Sequence, residues 1–449
     1  MAEIIFVFFS LQRKNDCKNH ATIYYLLHLL RNQSIMKKSL LFLFVLLLGI
    51  SCDKDDDNTE IVTVAVPITV KKADLRAQVD VVAPRAIDES GKFYFYKDYI
   101  FVNDSAKGVH IIDNSQPENP QKIAYLKVPG TYDMEVKGNI LYVDSYTDLV
   151  LFDLHDINNI HLMDRYIDVL GDTNYTWPLL ADNVWSFDFE NYDYKEDLIV
   201  GWEYKQVKRK MDPGMVYFDG TMSLASYNTA SKGAGVGGSF ARFKIVGNRL
   251  YVVDHSALYT FDISSTEDVQ KLNEQRIGWN IETIFNQDDY LYLGSSSGMF
   301  IFDIANPDAP AYVSQIQHLY GCDPVVVDGD YAYVTIRGGN PCGQDESILE
   351  VVDVSDKNNP TSVKMIDMNE PYGLGVHDDK LYVSDGPNGL HIYDKTDPVN
   401  IELSKIMEDI QIFDVIPLQD KLLMIGDNKL RQYSYSEDGL TEISVFDLQ

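Results

Sequence analysis

An aromatic-aliphatic strand ending in aspartate recurs along this chain, and a repeat of that kind leaves few folds open. It reads Val109-His110-Ile111-Ile112-Asp113, then Leu149-Val150-Leu151-Phe152-Asp153, then Leu258-Tyr259-Thr260-Phe261-Asp262. Three further copies end at Asp303, Asp353 and Asp394, and a seventh, Leu430-Arg431-Gln432-Tyr433-Ser434, has serine where the others have aspartate. Each copy follows another apolar strand, such as Tyr99 to Val102, Tyr290 to Leu293 or Leu422 to Ile425. The period is about 41 residues, the separation of Asp262 from Asp303 and of Asp353 from Asp394. Short strands at even spacing, punctuated by Gly, Asn, Asp and Pro, build all-β assemblies. A period near 40–45 residues with four strands per unit belongs to β-propellers. The sequence therefore predicts an all-β fold, a seven-bladed β-propeller of four-stranded blades. The 29 tyrosines suit half-buried strands of this type.

Four strands, A to D, can be drawn in each unit. In the fourth, A is Ile281 to Phe285, B is Tyr290 to Leu293, C is Met299 to Ile304 and D is Ala311 to Gln317. The repeated aspartates are expected to be turn residues whose carboxylates accept from nearby backbone N–H groups, not a metal or catalytic array. One period plus roughly 65–70 residues separates the second and third units, which places an insertion at about 171–238 between blades 2 and 3. Connections this long are functional or disordered, and the insertion's aromatic content argues for order. It holds Trp177, Trp185 and Trp202, while Trp279 falls in the D-to-A turn of the third unit, on the same face. These rings form either a small core of the insertion itself or a platform that stacks on a glycan or peptide. Asp197 to Val207 alternates as a strand does and is expected to extend the second blade. The glycines from Gly233 to Gly238 lack the helix and Lys-Ser/Thr of a phosphate loop.

The repeat, together with Ala83-Pro84-Arg85, Gly130-Thr131-Tyr132-Asp133-Met134, Gly235-Val236-Gly237-Gly238-Ser239, Gly321-Cys322-Asp323-Pro324 and Tyr372-Gly373-Leu374-Gly375, resembles the LVIVD-repeat β-propeller lipoproteins. The resemblance runs from about Asp80 to the C-terminus and departs at Ser434. It implies the propeller fold and the surface-lipoprotein class, and leaves the ligand open. Upstream, Met36-Lys37-Lys38-Ser39 leads into an apolar run from Leu40 to Leu48 and then Gly49-Ile50-Ser51-Cys52. The run is too short to span a bilayer and has the layout of a processing signal. It resembles the lipobox of bacterial lipoproteins, which implies lipidation of Cys52. Asp53-Lys54-Asp55-Asp56-Asp57 resembles the surface-export signal of Bacteroidetes lipoproteins. The expected layout is a signal peptide at 36–51, an acidic tether at 52–67, an N-terminal segment at 68–91 and the propeller at 92–449. Residues 1–35 have no part in the signal, so translation is expected to begin at Met36. The expected location is the outer membrane, lipid-anchored, at the cell surface. Ile68 to Ala83 either adds an outer strand to the last blade or packs elsewhere. Asp104-Ser105-Ala106 resembles an O-glycosylation acceptor of the same bacterial group.

In a propeller the B-to-C and D-to-A turns share one face, where ligands commonly sit. Cys322, in a D-to-A turn, and Cys342, in the B-to-C loop from Arg337 to Ser347, therefore share a face. With Cys52 lipidated and Cys17 upstream of the start, this pair remains of the four cysteines, and an exported compartment permits a disulfide. Closing a loop of about 20 residues stabilises by roughly 3 kcal/mol. No His or third Cys lies beside them in sequence, so no metal is expected, and no cofactor motif is present. The channel mouth is expected to gather Tyr132, Asp133, Asp254, His255, Asp323, Arg337, Tyr372, Asp385 and Asp414. Asp254-His255-Ser256 invites a triad reading, but neighbours in a strand point to opposite faces and do not converge. A net charge of −30, from 38 basic and 68 acidic residues, argues against nucleic-acid binding. The expected function is a binding or scaffolding module for a glycan, a peptide or an envelope protein, joined to the membrane by its lipid anchor. Its contact residues would be the four tryptophans with Tyr132, Asp133, His255, Asp323, Arg337 and Tyr372. The rival is a hydrolase or lyase using carboxylates and His255 at the mouth.

Overall fold

The computed structural model describes residues 59–171, 184–210, 241–278, 281–317, 324–338, 346–437 and 439–449. The chain divides into two units, 1–62 with 207–217 and 63–206 with 218–449, and the second holds every blade. Cys52, Trp177, Trp279, Asp323, Cys322 and Cys342 lie outside the described residues, and with them the signal, the lipidation and the disulfide.

Seven antiparallel sheets follow one another among the described residues, each meandering A-B-C-D as the repeat predicts. They occupy residues 90–127, 134–166, 243–276, 281–317, 325–367, 374–407 and 414–447, blades 1 to 7. The A strands of successive blades touch one another, so A is the inner edge of each blade. The strand boundaries drawn from sequence in the fourth unit are met closely, by Ile281–Gln287, Tyr290–Ser295, Gly298–Asp303 and Ala311–Gln317.

Burial explains why the blades associate. A lone four-stranded sheet has two apolar faces, and blades 4 and 5 show it in strands such as Gly298–Asp303 and Ile348–Asp353, where all but the last residue are buried. Those faces meet in seven apolar clusters, one at each junction between neighbouring blades. The junction of blade 7 with blade 1 packs Ile416, Leu423, Ile425, Leu430 and Leu448 against Phe93, Ile100, Val102 and Ile112. Burying each such side chain stabilises by about 1.5–3 kcal/mol, and the ring is the arrangement that leaves no apolar face unpaired. Blade 7 is built wholly from residues 414–447, so the ring closes by side-chain packing without a shared strand. Polar contacts seal the seam: Asn114 Nδ2 donates to Gln432 Oε1 at 3.0 Å and the Ile87 amide to the Leu448 carbonyl at 2.9 Å.

The strand-end aspartates are turn residues, as expected. Asp113, Asp153, Asp262, Asp303, Asp353 and Asp394 each accept the backbone N–H two residues on, at 2.6 to 3.0 Å. Each carboxylate thereby satisfies an amide that the C-to-D turn would otherwise leave without a partner.

The N-terminal segment is placed where the sequence left a choice. Asp80–Val82 pairs antiparallel with residues 125–127 as a fifth, outer strand of blade 1, not of blade 7. Residues 59–67, expected within the tether, are strand: Thr59–Lys71 is one continuous strand, followed by a short helix, Lys72–Arg76. Among the described residues the insertion does not extend blade 2, which has four strands. Its strands Val184–Phe187 and Asp197–Lys210 flank Thr59–Lys71 in a separate three-stranded sheet. The alternation of Asp197 to Val207 was a true strand signal, but alternation does not name a partner.

Candidate functional site

One position lies at the same place on the inner edge of all seven blades. It is the residue just before Phe93, Met134, Phe243, Ile284, Val325, Leu374 and Val415, whose partners on strand B are Val102, Val143, Val252, Leu293, Val334, Val383 and Met424. Around the ring this position reads Lys92, Asp133, Arg242, Thr283, Pro324, Gly373 and Asp414. Four of the seven are charged, on a scaffold whose repeat elsewhere is apolar. Asp133 and Asp414 of this set are among the residues expected at the channel mouth, and both are buried.

Asp133 is the hub on the side of blades 1 to 3. It is fully buried. Its Oδ2 accepts from Lys92 Nζ at 3.3 Å, from the Phe243 amide at 2.8 Å and from the Arg242 amide, while Oδ1 accepts from the Met134 amide at 2.7 Å. One carboxylate thus ties three blades together. Asp144 does the same within blade 2: its Oδ1 accepts from Thr131 Oγ1 at 3.1 Å and from the Tyr132 and Asp133 amides at 2.7 and 2.9 Å. Burial pushes the Asp144 carboxyl up to about 6 and pushes Lys92 down to about 8, against the pull of Asp133.

Asp414 differs. It is fully buried, and neither of its carboxylate oxygens has a hydrogen bond of good geometry among the described residues. Burial drives its carboxyl well above the ordinary value, with the Val415 amide and the Lys92 ammonium pulling the other way. Gly373 makes room for it: a Cβ there would lie 1.9 Å from Asp414 Oδ1.

Two arginine–tyrosine stacks are formed at this end of the ring. The Arg242 guanidinium lies 5.7 Å from the ring centre of Tyr132, and that of Arg337 lies 4.2 Å from the ring centre of Tyr372. Tyr372 is held edge-on by Phe413 at 5.2 Å, and its carbonyl accepts from Thr335 Oγ1 at 2.6 Å. Such stacks hold a guanidinium plane in one orientation.

The remaining sequence candidates take structural places. Asp254 accepts from the Ser256 and Ala257 amides at 2.7 Å each and from Tyr259 Oη at 2.7 Å, so Asp254-His255-Ser256 is a turn and not a triad. Asp385 accepts from the Glu370 amide at 2.8 Å and the Asn369 amide at 3.2 Å, with His391 Nε2 at 3.6 Å. Asp104 accepts from the Glu89 amide at 3.1 Å, with His110 Nε2 at 3.6 Å. Asp104 with His110, Asp254 with Tyr259 and Asp385 with His391 are one device used three times, a buried carboxyl at the end of strand B facing a ring on strand C. The sequence carried a signal for it, an Asp six residues before a His in two units. Among the described residues no group of three or more His, Cys, Asp or Glu is placed to hold a metal ion.

Trp185 and Trp202 belong to a separate group, in the insertion sheet. The Trp202 ring meets Phe187 at 5.7 Å and Phe189 at 5.8 Å, both edge-on, and Phe189 meets Tyr192 at 5.8 Å. Trp202 is thus part of a small, half-exposed aromatic cluster, in which Phe189 is 41% exposed, while Trp185 stands at the surface, as does Tyr204.

The LVIVD repeat family matches residues 284–317 and 322–367, which lie in blades 4 and 5. No curated protein matches the chain. Solved structures to which it is similar include a protein from Lactobacillus plantarum, at 12% identity over 79% of this chain and 97% of that one, with a TM-score of 0.48. The computationally designed Ika8 protein is similar at 9% identity over 80% and 87%, with a TM-score of 0.47. Kluyveromyces lactis Hsv2 is similar at 11% identity over 80% and 99%, with a TM-score of 0.43.

Proposed function

For this propeller, which carries the LVIVD repeat in its fourth and fifth blades, we propose a binding role without catalysis, exercised at the channel mouth while the chain is tethered to a membrane. The observation that carries the reading is the state of four carboxyl groups there, Asp414 being the exception, fully buried and without such bonds. Asp133, Asp144, Asp254 and Asp385 each accept from backbone amides of the fold itself. A general acid or base must exchange protons with a substrate, and carboxylates fixed by several N–H groups serve that purpose poorly. The mouth offers Arg242 and Arg337 instead, each stacked on a tyrosine. A stacked guanidinium suits an acidic group of a glycan or peptide, because its planar fork matches a carboxylate.

The test is a glycan and peptide array probed with the soluble chain from Asp53 onward. The reading expects carboxylate-bearing ligands among those retained. Arg242→Ala with Arg337→Ala abolishes their binding, whereas Trp185→Ala with Trp202→Ala leaves it. The reverse pattern would move the contact surface to the insertion, and turnover of any retained ligand would replace binding by catalysis.

The tether is proposed on sequence grounds. Lipidation of Cys52 would hold the ring at the outer membrane, facing the cell exterior. Two acyl chains make a stable anchor where one does not. Cys52→Ser is then expected to move the protein from the membrane fraction to the soluble one. A pairing of Cys322 with Cys342 is expected to appear as a single cross-linked peptide in a non-reducing digest.

A further inference from the structure

The insertion sheet has an unusual dependence. Its order is Val184–Phe187, then Thr59–Lys71, then Asp197–Lys210, so the two insertion strands do not pair with each other. The N-terminal strand stands between them. It runs parallel to the first, with Thr63 opposite Val184 and Ala65 opposite Phe187, and the Asp188 amide donates to the Ala65 carbonyl at 2.9 Å. Ala65 is fully buried, and Phe187 and Trp202, which meet at 5.7 Å, come from strands on either side of it. Among the described residues neither insertion strand has a ladder without the middle strand, and even a paired two-stranded ribbon is marginal in water.

The same segment is fastened to blade 2 just after the strand ends. Arg76 grips Asp148 with two hydrogen bonds of 2.8 Å, Lys72 reaches Asp168 at 2.6 Å, and Arg165 joins Asp148 at 2.7 Å. Burial opposes ionisation of Asp148, but Arg76 and Arg165 hold its carboxyl below the ordinary value. A two-pronged arginine–carboxylate pair fixes orientation as well as position. The ring needs none of this for closure, since blade 7 meets blade 1 directly.

We propose that the insertion is a strand-acceptor site, and that its ligand is the chain's own extended segment Thr63–Lys71, locked in place by the Arg76–Asp148 clamp. The insertion's aromatic cluster is assembled by docking of that segment and is lost when the segment leaves, while the ring stays folded. The mode is β-strand addition, in which main-chain pairing supplies the affinity and small or apolar side chains set the register. The segment is the first described stretch after Cys52, so the part of the chain next to the proposed anchor controls whether the insertion is ordered. The inference is independent of the ligand proposed for the mouth.

Hydrogen exchange on the full chain tests it. Proline in a central strand removes a ladder hydrogen bond, so Ala65→Pro undocks the segment. Arg76→Ala, which leaves the strand intact, loosens the clamp. For Ala65→Pro the expected result is exchange roughly tenfold or more faster in residues 184–187 and 197–206, with residues 291–302 of blade 4 unchanged. Arg76→Ala gives a smaller shift in the same two stretches. A synthetic peptide of residues 59–76, added in excess to the Ala65→Pro chain, restores slow exchange. Three results would overturn the proposal: continued protection of 184–206 in Ala65→Pro, equal loss of protection in blade 4, or failure of the peptide to restore it.

Discussion

Asp133 shows how a residue that resembles a ligand contact in sequence becomes a structural pin. It is one of seven equivalent inner-edge residues, and its oxygens are filled by amides of blades 2 and 3 and by Lys92 of blade 1. Replacing it by alanine leaves a buried ammonium without its counter-charge and three amides, of Met134, Arg242 and Phe243, without this acceptor. Asp133→Ala is therefore expected to cost about 3–5 kcal/mol in chemical denaturation; a loss under about 1 kcal/mol would mean the pin is not structural. Asp144 and Glu135 supply a pH dependence whose sign can be worked out. Burial raises their carboxyls to about 6 and about 7, and both are buried. Unfolded carboxyls titrate near pH 4, so between about pH 4 and 7 the folded chain binds more protons than the unfolded one. The stability these two groups lend is full below about pH 4 and is lost as pH rises towards 7. Lys92 is protonated in both states across that window. Asp144 and Glu135 thus pull the denaturation midpoint down from pH 5 to pH 7, and Asp144→Asn, which keeps an acceptor oxygen, removes the share due to Asp144; an unchanged difference between pH 5 and pH 7 would contradict the assignment. The pin was not readable beforehand, because residues 92, 133 and 242 meet only once three blades are stacked. The turn role of Asp303 was readable, because its partner Ala305 is two residues away.

Elements were legible to the degree that their partners are local. Strands A to D of the fourth unit pair with neighbours a few residues off in sequence, and the sequence boundaries agree with the strands to within two residues at each end. The insertion sheet was illegible for the opposite reason. Thr63 pairs with Val184 across more than a hundred residues, in parallel, and period-2 alternation says only that each segment is a strand. The hairpins between strands B and C impose a sharper local demand. Gly298 has φ 138°, and a Cβ there would lie 2.0 Å from the Ile316 carbonyl oxygen. Gly298→Ala is expected to destabilise by about 1–3 kcal/mol from the backbone alone, and by more from the clash. Gly138, at φ 57° with nothing within 4 Å of its Cβ position, is the control, and Gly138→Ala should cost only about 1 kcal/mol. Equal melting shifts for the two would show that the close approach at Gly298 is not real.

At the scale of the whole molecule, seven apolar junctions replace a single core, and the one between blades 7 and 1 decides whether the ring is closed. Leu448 is completely buried there, so Leu448→Ala should cost about 2–5 kcal/mol, as for other large-to-small core changes. A cost near zero would mean an open seam. Closure without a shared strand also frees the N-terminal segment to form the outer strand of blade 1 and the middle of the insertion sheet. Everything proposed for that segment depends on this arrangement, which disulfide trapping reads directly. Val81 is opposite Leu126 of blade 1, whereas a strand lent to blade 7 would lie beside its outer strand, where Val445 is exposed. In a chain carrying Val81→Cys with both Leu126→Cys and Val445→Cys, mild oxidation should yield the peptide cross-link between positions 81 and 126. A cross-link between 81 and 445 instead would contradict the account.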